Sequence, residues 1–129
     1  MPDRPIFIRH ADRPTVAFSG GATYRPIIDD NTGAGLSIRT GIQVSPPGYA
    51  TQPHSHPYVE LLTVLEGTGE ARLDGEDGLL VMEPGVTIAV PADRVHGFRC
   101  TGDRPLVTFG IHNSGKRIVN YQTRPASSG

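Results

Sequence analysis

Residues 48–67 read GYATQPHSHPYVELLTVLEG. Two histidines, His54 and His56, stand one residue apart in this stretch, and Glu60 follows within one more turn of chain. The whole sequence holds only 5 histidines, so two of them at one place is a concentration to be explained. On an extended strand, residues two apart project from the same side, which would aim both imidazoles in one direction. Glu60 has the same parity, with Pro57 expected to bend the backbone between them. Neutral imidazole is a common ligand of first-row transition metals, and a carboxylate adds a hard, charged oxygen. A His-x-His pair is equally at home on the polar edge of a loop. The residue types alone leave both readings open.

The surrounding chain reads as strands. The 16 glycines and 12 prolines are scattered between short runs rich in Val, Ile, Leu, Thr and Phe, and no segment keeps a helical period. Strands are expected in PIFIRH (5–10), PTVAF (14–18), TYRPII (23–28), LSIRTGIQV (36–44), VELLTVLEG (59–67), VTIAVP (86–91), VHGFRC (95–100), PLVTFGIH (105–112) and KRIVNYQ (116–122). GEARLDGEDGLLVMEPG (69–85) reads as two more, joined by a hairpin at DGEDG. About ten strands at roughly 8–12-residue spacing point to an all-β sandwich or barrel. In the 36–44 segment Leu36, Ile38, Ile42 and Val44 share one face and Ser37, Arg39 and Gln43 the other. Val107, Phe109 and Ile111 likewise oppose Leu106, Thr108 and His112. The apolar faces are expected on a core, and the mixed faces toward solvent or a polar cavity.

At 129 residues the chain suits one domain, with its barrel core at about 36–113 and a loose tail at 123–129. A net charge of -1 with no basic stripe excludes the electrostatic footprint of a nucleic-acid binder. No window approaches the ~20 apolar residues of a membrane span, and the N-terminus has no signal-peptide core. The single cysteine, Cys100, rules out an intrachain disulfide and fits a reducing compartment, so a cytoplasmic protein is the default expectation.

The spacing of Gly48, His54, His56, Glu60 and Gly67 resembles the first signature motif of the cupin superfamily at every fixed position. Farther on, GVTIAVPADRVHGFRC (85–100) resembles the second motif, with Gly85, Pro91 and His96 in place. It departs from the pattern twice: the family has glycine where Asp93 stands and asparagine where Cys100 stands. The resemblance implies a single-domain jelly-roll β-barrel with a metal in its mouth, held by His54, His56, Glu60 and His96. Gly48 and Gly67 would then serve tight turns, and Pro91 would stiffen the turn before His96.

Several further residues have a functional and an ordinary reading. His112 is a candidate cavity base or substrate contact, although a partly exposed polar side chain is the commoner case. Tyr58 shares the ligands' parity and suits either a hydrogen bond to substrate or a packed ring at the barrel rim. Gln52 is a candidate contact beside His54. Arg39 and Gln43 would face the cavity if their polar face does, and Arg39 suits a substrate carboxylate. Cys100 reads as a small buried apolar residue.

Three histidines and a carboxylate leave two adjacent octahedral positions free, an arrangement suited to Fe(II) and to Mn, Ni or Zn. The leading expectation is a metal-dependent, dioxygenase-like enzyme acting on a chelating enol, catechol or keto acid, with Tyr58, Gln52 or His112 guiding protons. One alternative is an oxygen-independent isomerase, lyase or decarboxylase acting on a hydroxy-carbonyl or sugar-acid substrate. Another is a non-enzymatic metal-bearing binding or sensor module. The family's habit of pairing makes a homodimer the expected assembly.

Overall fold

The turn residues that punctuate the sequence fall between strands in the computed structural model, which describes residues 5–32 and 35–122. The strands are β1 (Val16–Ala17), β2 (Thr23–Ile28), β3 (Arg39–Ser45), β4 (His54–Ser55), β5 (Glu60–Glu66), β6 (Gly69–Leu73), β7 (Leu80–Met82), β8 (Thr87–Val90), β9 (His96–Cys100), β10 (Leu106–His112) and β11 (Asn120–Tyr121). One sheet has the order β1-β2-β3-β10-β5-β8 and the other β11-β4-β9-β6-β7, giving the expected jelly-roll cupin fold. Among the described residues there is no α-helix, only short 3-10 turns at His10–Asp12 and Ser19–Gly21. The tail expected at 123–129 lies outside the described residues.

Three local expectations change, the first at KRIVNYQ, which is a strand only over Asn120–Tyr121. PIFIRH is not a strand: residues 5–9 carry no regular structure, with Phe7 largely exposed and Ile6 and Ile8 half-buried. The strand carrying the first histidines is also far shorter than parity reasoning assumed. Pro53 and Pro57 flank it, and a proline has no N–H to extend a ladder, so β4 stops after Ser55. His56 therefore lies on the crossover from one sheet to the other. It reaches the interior by its place in that link, not by strand alternation.

The faces are inverted relative to expectation. Along β3 the buried side holds Arg39, Gly41 and Ser45, whereas Val44 on the other side is exposed. On β10 the buried residues are Leu106, Thr108 and Gly110, and Val107, Phe109 and Ile111 point outward, half-buried. The polar faces thus line the barrel interior toward its mouth. The physical reason is division of labour along the barrel. Its closed end is filled by Leu62, Val64, Ala71, Leu73, Met82, Ile88, Val90, Cys100 and Leu106, and the open end has to host polar chemistry. Cys100 belongs to this core, its thiol bonded to the carbonyl of Arg104.

Two turns hold the motif segments in place. Gly67 takes φ +81°, and a Cβ there would run into the backbone of Pro105 and Leu106. Asp93, where the cupin pattern has glycine, is the one non-glycine residue with positive φ among those described, at 64°. Its amide donates to the carbonyl of His56 at 2.7 Å, so this strained turn grips the histidine-bearing link directly. Left-handed backbone disfavours side chains, by roughly 1–2 kcal/mol for most and less for aspartate. In urea unfolding, Asp93→Gly is expected to leave stability level or raised by up to about 1 kcal/mol. Gly67→Ala is expected to lower it by about 2 kcal/mol or more. A stabilising Gly67→Ala would contradict the turn assignment.

Candidate metal centre

Glu60, the first residue of β5, is the hub of the cavity. Its Oε1 lies 3.0 Å from Nε2 of His56 and 3.3 Å from Nε2 of His96, and its Oε2 lies 3.3 Å from Nε2 of His112. The fold brings these groups together from both sheets. His54 on β4 pairs in register with His96 on β9, and His112 on β10 pairs in register with Glu60 on β5. The rings of His54 and His96 are 4.4 Å apart. Ligand atoms of His54, His56 and His96 all lie within 4.8 Å of one another, as do those of His56, Glu60 and His112.

The second nitrogen of each imidazole decides what this cluster is for. Nδ1 of His54 lies 2.8 Å from the carbonyl of Gln52, Nδ1 of His56 3.1 Å from that of Tyr58, and Nδ1 of His96 2.9 Å from that of Arg94. A carbonyl oxygen only accepts, so each Nδ1 carries the hydrogen. In a neutral ring Nε2 then presents a bare lone pair. His56 and His96 turn that lone pair toward a carboxylate oxygen, which is repulsive unless a cation lies between them. The buried Nε2 of His96 makes no hydrogen bond. A divalent metal fits this donor set: backbone carbonyls hold the tautomer and orientation, as they do for metal-ligating histidines generally.

Ionisation follows from the same contacts. Burial pulls the Glu60 carboxyl up, but the ring nitrogens of His112, His56 and His96 close to it outweigh this and hold the group well below the usual carboxylate range. Burial lowers His54, keeping it neutral, with the Gln52 carbonyl opposing. Burial also lowers His96, yet its contacts with Glu60 and the Arg94 carbonyl reverse this and leave it raised.

The candidate site residues His54, His56, Glu60, His96, Tyr58, Gln52 and His112 all line the cavity, but with different jobs. His112 lines it, contrary to its commoner reading, with Nε2 on Glu60 and a buried Nδ1 that has no partner. Tyr58 is buried with its ring stacked on His56 at 4.5 Å, while its hydroxyl donates to the carbonyl and accepts from the amide of Ile118. Gln52 donates from its side-chain amide to the carbonyl of Gln122. Both polar groups thus fasten the C-terminal strap, whose β11 pairs with β4 beside His54. Gln43 and Arg39 face inward as the inverted faces require. Tyr24 is the lining residue that sequence could not orient. Its ring lies across Gly41, where any Cβ would collide with the phenol, so this glycine is what admits the ring. The cavity measures about 910 Å³.

The protein-family model described as "Cupin domain" matches residues 41–112. The chain belongs to the cupin family. It is 31% identical over 98 residues to a 5-nitrosalicylic acid 1,2-dioxygenase from Bradyrhizobium, covering 70% of this chain and 46% of that protein. It therefore spans about half the dioxygenase's length. It is 27% identical to dimethylsulfoniopropionate lyase DddW from Ruegeria pomeroyi, over 86% of this chain and 76% of that one. Among solved structures, the polyketide cyclase RemF from Streptomyces resistomycificus superposes with a TM-score of 0.76 at 22% identity, covering 98% of this cupin and 89% of the cyclase. Oxalate decarboxylase from Bacillus subtilis gives 0.77 at 19% identity, over 92% and 34%. At these identities the likeness is one of fold.

Metal and protons compete for the same nitrogens, and the signs can be worked out. In the metal-free protein the raised His96 contributes stability below its ordinary value of 6.5, lost as pH rises through its folded value. Lowered His54 acts oppositely, weakening the fold as pH falls below 6.5. Bound metal needs both neutral. The rise in melting temperature on adding Zn(II) should therefore grow steadily from about pH 5.5 to 8. Glu60→Gln should lower metal affinity by about 100-fold or more. A pH-independent shift, or full affinity in Glu60→Gln measured calorimetrically, would count against the assignment.

Proposed function

We propose that this cupin is a metal-dependent enzyme of small molecules, dioxygenase-like, acting on a chelating enol, catechol or keto acid. The observation that carries this is the pair of imidazoles, His56 and His96, with acceptors facing both ring nitrogens at the floor of an open cavity. His54, His56, Glu60 and His96 would hold the metal, with His112 close enough to join them or to serve as base. Fe(II), favoured over Mn, Ni or Zn, would supply Lewis acidity and adjacent free positions for substrate and dioxygen. Similarity to the nitrosalicylate dioxygenase supports the oxygen-dependent version.

The chain's own residues divide the remaining work. Nε2–H of His112 steadies the Glu60 carboxylate, and its unpartnered Nδ1 is a buried base with no other duty. Of the three candidates Tyr58, Gln52 and His112, we therefore keep His112 for moving protons. The Tyr58 ring holds His56 in plane, and its hydroxyl ties down the strap. An oxygen-independent lyase or decarboxylase is the second reading, favoured by the fuller coverage of the similarity to the lyase.

The test is anaerobic Fe(II) loading followed by oxygen-uptake measurements with catechol, salicylate and 2-keto acids, alongside Mn(II) and Zn(II) turnover under argon. Oxygen consumption with at least one chelator is expected. Turnover only under argon would transfer the assignment to the second reading, and binding without turnover to a sensor role. His112→Gln should lower kcat by about 10²–10⁴-fold with metal retained, and Tyr58→Phe by less than about 10-fold. We also propose a cytoplasmic homodimer. Val44, Leu61 and Leu65 are exposed on the outer sheet face, and a monomeric mass in sedimentation would refute it.

A further inference from the structure

Arg39, the first residue of β3, stands apart from the other arginines that the described residues place near carboxylates. Arg13 is paired with Asp29, Arg94 with Glu76 and Arg99 with Glu70. Arg39 is only 9% exposed, more deeply buried than any of these, and has no carboxylate within ion-pair distance among the described residues. Its Nη1 is buried without a hydrogen-bond partner. Taking a guanidinium out of water without an anion is costly, and proteins keep such a charge only where something else compensates it. The Tyr58 ring, 5.7 Å from the guanidinium carbon, offers a weak cation–π contact and no anion.

Three acids line the cavity, and none forms an ion pair with Arg39; one of them, Asp30, is exposed. Glu60 is held by three histidines, and Asp29, also on the cavity wall, is held by Arg13. Arg39 pairs in register with His112, which pairs in register with Glu60, so the three form one row across β3, β10 and β5. Arg39 therefore stands about 10 Å of backbone from Glu60, and its long side chain shortens that span. Tyr24, on the next strand, brings a phenol to the same wall. With a divalent metal bound, Glu60 ionised and the histidines neutral, the pocket would carry a net charge of about +2. A chelating acid with one further ionised oxygen neutralises it.

We propose that Arg39 is the anion clamp of this cavity. The substrate is a small carboxylic acid whose acid group sits on the Arg39 guanidinium while an adjacent enol, phenol or keto oxygen reaches the histidine–glutamate cluster. Catechols, which lack the acid, are disfavoured. The inference deepens the metal-centre reading and rests on it for the second contact. The first contact, acid on Arg39, stands without the metal.

The experiment uses salicylate and its neutral isostere salicylamide, titrated calorimetrically into Co(II)-loaded and metal-free protein, with metal content measured separately. Wild type should bind salicylate at least 10-fold more tightly than salicylamide in both forms. Arg39→Gln should abolish that preference, Arg39→Lys should retain part of it, and Arg99→Gln, whose guanidinium pairs with Glu70 outside the cavity, should leave it intact. Because Arg39→Gln removes an uncompensated buried charge, its ligand-free melting temperature should equal or exceed that of wild type; a merely structural arginine would lower it. If Arg39→Gln fails to fold, the wild-type preference and Arg39→Lys decide the matter. No salicylate binding by wild type, equal binding of both probes, or an unchanged preference in Arg39→Gln or Arg39→Lys would overturn the proposal. A chain that takes up no Co(II) but keeps an Arg39-dependent preference for salicylate would refute the metal reading and leave the clamp standing.

Discussion

A neutral imidazole has one N–H, yet at His56 and His96 both ring nitrogens face oxygen acceptors, a backbone carbonyl on one side and Glu60 on the other. Something positive has to occupy the space between the Nε2 atoms and the carboxylate. Two extra protons would do it at the cost of two buried charges, whereas one divalent cation does it while leaving the rings neutral. Much of the barrel mouth serves this constraint. β4 and β9 set His54 against His96, β5 and β10 set Glu60 against His112, and the Asp93 amide pins the carbonyl of His56.

The same constraint accounts for the inverted faces. The histidine–glutamate cluster sits among polar walls, with Arg39, Gln43, Thr108 and His112 turned inward from β3 and β10. Their valines, isoleucines and phenylalanine go outward, leaving Val44 partly uncovered, as is Leu61 on β5. The apolar core is confined to the closed end, where Val64, Met82 and Leu106 are at most 1% exposed. Gly41 on β3 and Gly110 on β10 face one another in register and thin the wall at the level of the site. Tyr24 occupies part of the space above Gly41. Arg39 is the residue for which this arrangement provides no internal partner, and a ligand acid completes it.

Most of the fold was readable because the turn chemistry is local. DGEDG and the motif glycines mark strand ends whatever the tertiary context, and β2 matches its expected bounds of 23–28. That His54, His56, Glu60 and His96 gather at one place was readable because they fall on a two-part spacing. What alternation cannot reveal is which face turns in, since a barrel with a polar cavity buries the side that a sandwich would expose. That inversion is why His112 reads as an edge residue in the sequence and as a cavity residue in the structure. The destiny of Tyr58 and Gln52 was hidden for another reason. Their partners, Ile118 and Gln122, are about sixty to seventy positions away, and no local signal links them. At position 93 the departure from glycine was visible, and the positive φ explains why the family pattern has glycine there.

The central claim concerns where the protons sit, and long-range nitrogen–proton correlation NMR of the imidazoles observes them directly. In the Zn(II)-loaded protein His54, His56 and His96 should each appear as neutral rings, protonated at Nδ1 and metal-bound at Nε2. In the metal-free protein at pH 6 the Nε2 of His96 should carry a proton that zinc displaces. Retention of Nε2–H at His56 and His96 after zinc addition would mean that protons alone fill the gap, and the metal centre would be refuted.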